Sequence, residues 1–97
     1  MKGYWLILGT EILDQSAQDE YVRLWKPIAE KYQAKVKPDS TRSLLMEARD
    51  TRRVVVVEFP SYDAAKTCYD DPAYQLALSH ALQASNRELL ILQGDIA

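Results

Sequence analysis

The run Arg53-Val54-Val55-Val56-Val57-Glu58-Phe59 constrains the fold of this chain more than any other segment. Four consecutive valines are stiff at χ1 and fit a pleated surface better than a helix. Pro60 ends the run, because it has no N–H to donate to a ladder. Successive strand side chains point to opposite faces, so this strand is apolar on both. Two further segments behave alike. Tyr4, Leu6 and Leu8 alternate with Trp5 and Ile7, and Leu89 and Ile91 alternate with Leu90 and Leu92. A sheet built from such strands needs a covering layer on each side.

The rest of the chain supplies a layer for one side only. Lys2 to Ile12 reads as the first strand. Asp14 or Ser16 offers a helix cap, and Ser16 with Asp19 has capping-box spacing. Ala17, Tyr21, Leu24, Trp25, Ile28 and Tyr32 then fall on one helical face, with Pro27 inside the pattern where a kink is expected. Ala34 to Lys37 reads as a short strand, Lys37-Pro38-Asp39-Ser40 as a turn, and Leu44 to Ala48 as a further extended stretch. After the valine strand, Ser61 caps a short helix, and Asp71-Pro72 starts another in which Tyr74, Ala77, Leu78, Ala81 and Leu82 line one side. Glu88 to Gln93 is the last strand, closed by Gly94.

The order strand, helix, strand, strand, helix pair, strand is the split βαββαβ arrangement of the α+β class, with one antiparallel sheet and helices on one face. At 97 residues, residues 1–97 form a single domain. About 65% of its unfolded surface is expected to be buried on folding, enough for a core without staples. The uncovered apolar face exceeds what monomers usually expose. A second copy laid sheet to sheet covers it most economically, so a homodimer is expected.

Composition narrows the function classes. The net charge of −2 argues against a general nucleic-acid binder, although residues 23–53 carry nine basic side chains against four acidic ones. That local field attracts anions if it is not simply a solvated face. RNA-recognition domains share the topology but present stacking aromatics on the third strand, where this chain has Val54 and Val56. Nucleic acid is therefore not an expected partner. The apolar stretch Tyr4–Leu8 is too short for a secretory or membrane segment. With one cysteine, Cys68, the cytoplasm is the expected location. One histidine and one cysteine make no metal cluster, and the three glycines, Gly3, Gly9 and Gly94, make no phosphate loop.

Three stretches together carry a family resemblance: Lys2-Gly3-Tyr4-Trp5, the run from Arg52 through Glu58-Phe59-Pro60-Ser61-Tyr62, and Tyr69-Asp70-Asp71-Pro72-Ala73-Tyr74-Gln75. The chain resembles, over nearly its whole length, a bacterial family of small domains of unknown function in the dimeric α/β-barrel superfamily. The resemblance implies a ferredoxin-like protomer whose sheet pairs with a second one to form a dimeric α/β barrel. It implies no established reaction. Distant members of the superfamily include cofactor-independent monooxygenases, muconolactone-type isomerases and haem-degrading enzymes, with ligands between sheet and helices. The chain departs from the family pattern at Gln33-Ala34, where a Gly-Gly pair is common, and at Ala81, where an arginine is frequent.

Five residues stand out as ligand-binding candidates: Trp5, Trp25, Glu58, Tyr74 and His80. Glu58 shares a strand face with Val54 and Val56, so its charge needs a structural partner such as Arg53 or a tyrosine hydroxyl, or serves as a base or polar anchor. His80 borders the apolar face of the last helix and has a suitable pKa for a base, but no nucleophile or orienting carboxylate accompanies it. Haem held by His80 alone has weak support. The aromatics, which also include Tyr62 and Tyr69, are core residues by default, yet tyrosine hydroxyls in a cluster need partners and can ring a planar organic ligand. Cys68 reads as a packing residue. The expected function is binding of a small organic molecule between sheet and helices, without a cofactor. The alternatives are a cofactor-independent monooxygenase- or isomerase-like enzyme, with Glu58 or His80 as base, and a structural dimer without ligand.

Overall fold

The computed structural model describes residues 1–36 and 44–94. The valine run forms β3 (Arg53–Phe59), and it pairs along its full length with β1 (Gly3–Gly9), from Gly3 opposite Phe59 to Gly9 opposite Arg53. On its other side β1 pairs with β4 (Arg87–Gln93), from Gly3 opposite Gln93 to Gly9 opposite Arg87. The short β2 (Lys35–Val36) lies outside β3, giving an antiparallel sheet in the order β2-β3-β1-β4. With α1 (Gln15–Tyr32), α2 (Tyr62–Asp70) and α3 (Pro72–Ala84), this is the ferredoxin-like α+β topology the sequence order predicts.

Strand parity sorts the side chains. Trp5, Ile7, Val57 and Phe59 form the buried core, with Val55, Leu89 and Ile91 packed against it and Ile28, Ala65, Cys68, Tyr74 and Ala77 closing it from the helices. On the other face Leu6, Leu8, Val54, Val56 and Leu92 are only half-buried and Leu90 is 48% exposed, while Tyr4 and Glu58 at one end are buried.

Local chemistry accounts for the element ends. Asp14 caps α1 by accepting from the Ala17 N–H at 3.1 Å. The Ser16–Asp19 capping box does not form, because Ser16 Oγ donates to Asp14 and Asp19 accepts from Gln15. α1 continues through Pro27 to Tyr32, and Gln33 ends it in the left-handed region at φ 53°. Ser61 caps α2 and Asp71 caps α3, with Pro72 in its first turn, as expected. Gly3 is required by a close approach: a Cβ there would lie 2.6 Å from the Ser61 carbonyl oxygen and 2.6 Å from Tyr62 Cα, so α2 starts directly against β1.

Four further expectations need correction. The first strand stops at Gly9 rather than Ile12, because Thr10, Leu13 and Asp14 turn their N–H groups to the Asn86 and Ala84 carbonyls. Leu44 to Ala48 forms no strand, and these residues are exposed. Leu82 is exposed, and Ala84 takes the inward place at the end of α3. The last strand begins one residue early, at Arg87. The expected 37–40 turn lies outside the described residues. No helix among the described residues is long and apolar enough to cross a membrane.

Candidate functional site

Trp5 sits at the centre of the helix-facing side and is fully buried. Its ring centroid lies 5.6 Å from Trp25 of α1, 4.8 Å from Tyr74 of α3, 4.9 Å from Phe59 of β3 and 6.0 Å from Tyr69 of α2. Tilted and edge-on contacts at these spacings are those the ring quadrupoles favour. The indole N–H donates to the Ala65 carbonyl at 3.0 Å, which satisfies the one polar atom Trp5 brings into the core.

The cluster is apolar at the Phe59 side and polar at the other. The Tyr74 hydroxyl lies 3.1 Å from the Tyr21 hydroxyl and accepts from Arg87 Nη2 at 2.6 Å. The Arg87 guanidinium also stands 5.2 Å above the Tyr21 ring, a cation–π contact. Burial and the neighbouring Tyr21 hydroxyl push the Tyr74 phenol well above the ordinary tyrosine range, so it stays neutral. Burial works against the Arg87 charge, but the two phenol oxygens more than offset it and hold its pKa above the usual value. The cluster is thus a packed set of rings ending in one permanent cation and two hydroxyls.

Of the five candidates, the structure brings Trp5, Trp25 and Tyr74 together and leaves the other two apart. Glu58 lies on the opposite face of the sheet, where Lys2 Nζ reaches its Oε1 at 2.6 Å. It lines a cleft of about 240 Å³ with Lys2, Gln33, Lys35, Phe59 and Pro60. Arg53 is not its partner. The two are five residues apart in one strand and therefore point to opposite faces; Arg53 bonds to Thr10 O and Ser85 Oγ instead. His80 is half-buried on α3, near Glu20 of α1. The sequence reading missed Arg87 and placed Tyr21 only on a core face. The available signal was parity: Arg87 shares its face with Leu89 and Ile91, so a charge starts an inward-facing row.

Cys68 is buried, and desolvation pushes its thiol up to about 12, leaving it inert as a nucleophile. Among the described residues no group of three or more His, Cys, Asp or Glu side chains is placed to hold a metal. Asp71 ties α3 to the end of α1. It accepts from Tyr32 at 2.6 Å and Lys31 at 2.9 Å, and these bonds, with that from the Ala73 N–H, hold its carboxyl down at about 2.

The family model described as a domain of unknown function, DUF1330, matches residues 2–95. The chain belongs to that family. No curated protein matches the sequence. Solved structures share the DUF1330 chain's fold at low identity. A protein of unknown function from Rhodopseudomonas palustris is 22% identical with a TM-score of 0.68, the match covering 99% of this chain and 84% of that one. A dimeric ferredoxin-like protein of unknown function from Jannaschia sp. CCS1 is 13% identical with a TM-score of 0.66, covering 97% and 100%. A variant of SnoaB, a cofactor-independent oxygenase from Streptomyces nogalater, is 10% identical with a TM-score of 0.66, covering 99% and 95%.

Proposed function

We propose that this DUF1330 protein is a homodimer that binds a small organic molecule between the sheet and helices of each protomer. The observation that carries the reading is the Trp5–Trp25–Tyr74 cluster ending on Tyr21 and Arg87, ring walls with a few convergent polar groups. Trp5 and Tyr74 form its closed floor, while Tyr21, Leu24 and Trp25 of α1 are only half-buried and form the wall a ligand meets. The dimer rests on the half-covered sheet face of Leu6, Leu8, Val54, Val56 and Leu90, and on the dimeric state given for the Jannaschia protein. Nucleic acid and membrane have no place in this reading, and the lone, buried Cys68 suits a cytoplasmic protein.

Two alternatives each have one observation in their favour. A cofactor-independent monooxygenase- or isomerase-like activity, with Glu58 or His80 as base, draws on the fold shared with the Streptomyces oxygenase. A structural dimer without ligand draws on the filled core around Trp5, Phe59 and Tyr74. A thermal-shift screen with aromatic acids, lactones and haemin separates them. The binding reading expects a raised midpoint that survives E58Q and H80A and is lost in Y74F. Turnover abolished by E58Q or H80A with binding retained favours the enzyme. Absence of any shift favours the structural dimer.

A further inference from the structure

Leu44, Leu45 and Met46 stand in a row before β3 and are all open, Leu44 at 80%, Leu45 at 43% and Met46 at 78% of full exposure. The other exposed large apolar side chains among the described residues stand singly along the chain, as scattered surface leucines commonly do. Three adjacent ones with no charge among them make a contiguous patch, and such a patch marks a contact surface. The segment does not cover its own chain's half-open sheet face, although its end lies beside that face. Asp50 and Thr51 share a cleft of about 140 Å³ with Leu8 and Glu88, which are paired residues on the side away from the helices. The Arg52 N–H donates to the Gly9 carbonyl at 2.8 Å and fastens that end to β1.

Area decides what this patch is for. A stable interface buries roughly 800 Å² on each partner, and in homodimers about 65% of that is apolar, on the order of 500 Å². The half-open sheet face is too small to provide it. Its apolar residues are Leu6, Leu8, Val54, Val56, Leu90 and Leu92, and all but Leu90 are already half-buried. Together they leave on the order of 300 Å² open. Tyr4 and Glu58 on the same face add almost nothing, because both are buried. Leu44, Leu45 and Met46 leave on the order of 350 Å² more, so face and segment together pass the requirement that the face alone misses.

We infer that residues 44–46 are a dimerisation arm: each copy lays Leu44, Leu45 and Met46 against the open sheet face of the other. The inference rests on the homodimer reading above and names the surface that completes it. Two-fold symmetry makes the contact twice, since every chain carries one arm and one face. That equal supply favours a second copy over a different protein as the occupant. No charge interrupts residues 44–46, so covering them buries no unpaired ion. The unbranched Met46 adapts to a surface of branched side chains. Glu47 and Arg49, next along and exposed, belong to a polar rim where charges keep their water.

The test has two readouts on the full chain. Light scattering over a dilution series compares wild type with the double variant L44S and M46S, which is expected to raise the dimer dissociation constant about a hundredfold or more. Both side chains are open in the single chain, so the variant keeps its fold, and circular dichroism checks this. The second readout is oxidation by hydrogen peroxide, which turns the thioether into a sulfoxide and leaves water. Met1 and Met46 are the only methionines. They are equally open in one chain, at 81% and 78%, so Met1 serves as the reference. Met46 is expected to oxidise several-fold more slowly than Met1 in wild type. The two rates should match in V56K, which puts a charge into the sheet face and separates the copies. A wild-type dimer with an unchanged dissociation constant in the double variant, and with Met46 oxidised as fast as Met1, overturns the arm and leaves the homodimer reading standing. Met46 protected equally in V56K also overturns it, because the cover is then the chain's own. A wild type that is a single chain at every concentration overturns the homodimer reading and the arm with it.

Discussion

The two faces of the sheet are written in nearly the same residues and end in different states. On the helix side, Trp5, Ile7, Val57 and Phe59 are closed off by α1, α2 and α3. On the far side, Leu6, Leu8, Val54, Val56 and Leu92 stay half-open and Leu90 about half exposed. Burial is thus decided by what the topology can lay over a face. One chain has helices for one layer, and in the proposed dimer the second layer comes from another copy. The helix side also holds polar exceptions, the hydrogen-bonded Tyr21, Tyr74 and Arg87, and Arg53 on Ser85.

The comparison breaks most visibly if the helix-side core is emptied. W5A removes four ring contacts and is expected to lose about 3–5 kcal/mol, a large part of the stability of a domain this size. A denaturant midpoint within experimental error of wild type would contradict the packing described. G3A comes next. Its Cβ meets backbone rather than a flexible side chain, so β1 and the start of α2 must separate, at a cost of about 1–3 kcal/mol. Thermal melting reads the loss.

Y74F is milder, about 1–2 kcal/mol, because it leaves Tyr21 and Arg87 each short of one hydrogen-bond partner while keeping the ring. An unchanged melting midpoint in Y74F would show that the polar end of the cluster carries no structural weight.

The smallest effect concerns acid stability. The Asp71 carboxyl sits at about 2 in the folded protein and at about 3.9 in an unfolded chain. A depressed carboxylate contributes stability that is fully present above the unfolded value and is lost as pH falls towards 2. D71N keeps a good helix cap but removes the charge that Lys31 and Tyr32 recognise. Its stability is therefore expected to be slightly lower at neutral pH and flatter than wild type between about pH 4 and pH 2. Parallel acid limbs would contradict that role for Asp71.

How much of this was legible in the sequence follows from period and parity. The valine run, the aromatic face of α1 and the Asp71-Pro72 helix start each state their structure locally, so the topology and the meeting of Trp5, Trp25 and Tyr74 were readable. Alternation alone does not say which of two apolar faces receives the helices, and this is why Glu58 and His80 were grouped with the aromatics although the sheet separates Glu58 from them. Arg53 as one possible partner of Glu58 is excluded by an odd separation along one strand. Arg87 was hidden by a strand start placed one residue late.

The central claim, that the half-open face is covered by a second copy, is tested most directly by the mass of the protein in solution. Light scattering at micromolar concentration is expected to report about 22 kDa for wild type, twice the 11.1 kDa chain. V56K, which places a charge in the middle of that face opposite Leu6, is expected to report a folded single chain with unchanged circular dichroism. A wild-type protein that runs as one 11.1 kDa species at that concentration would contradict the account.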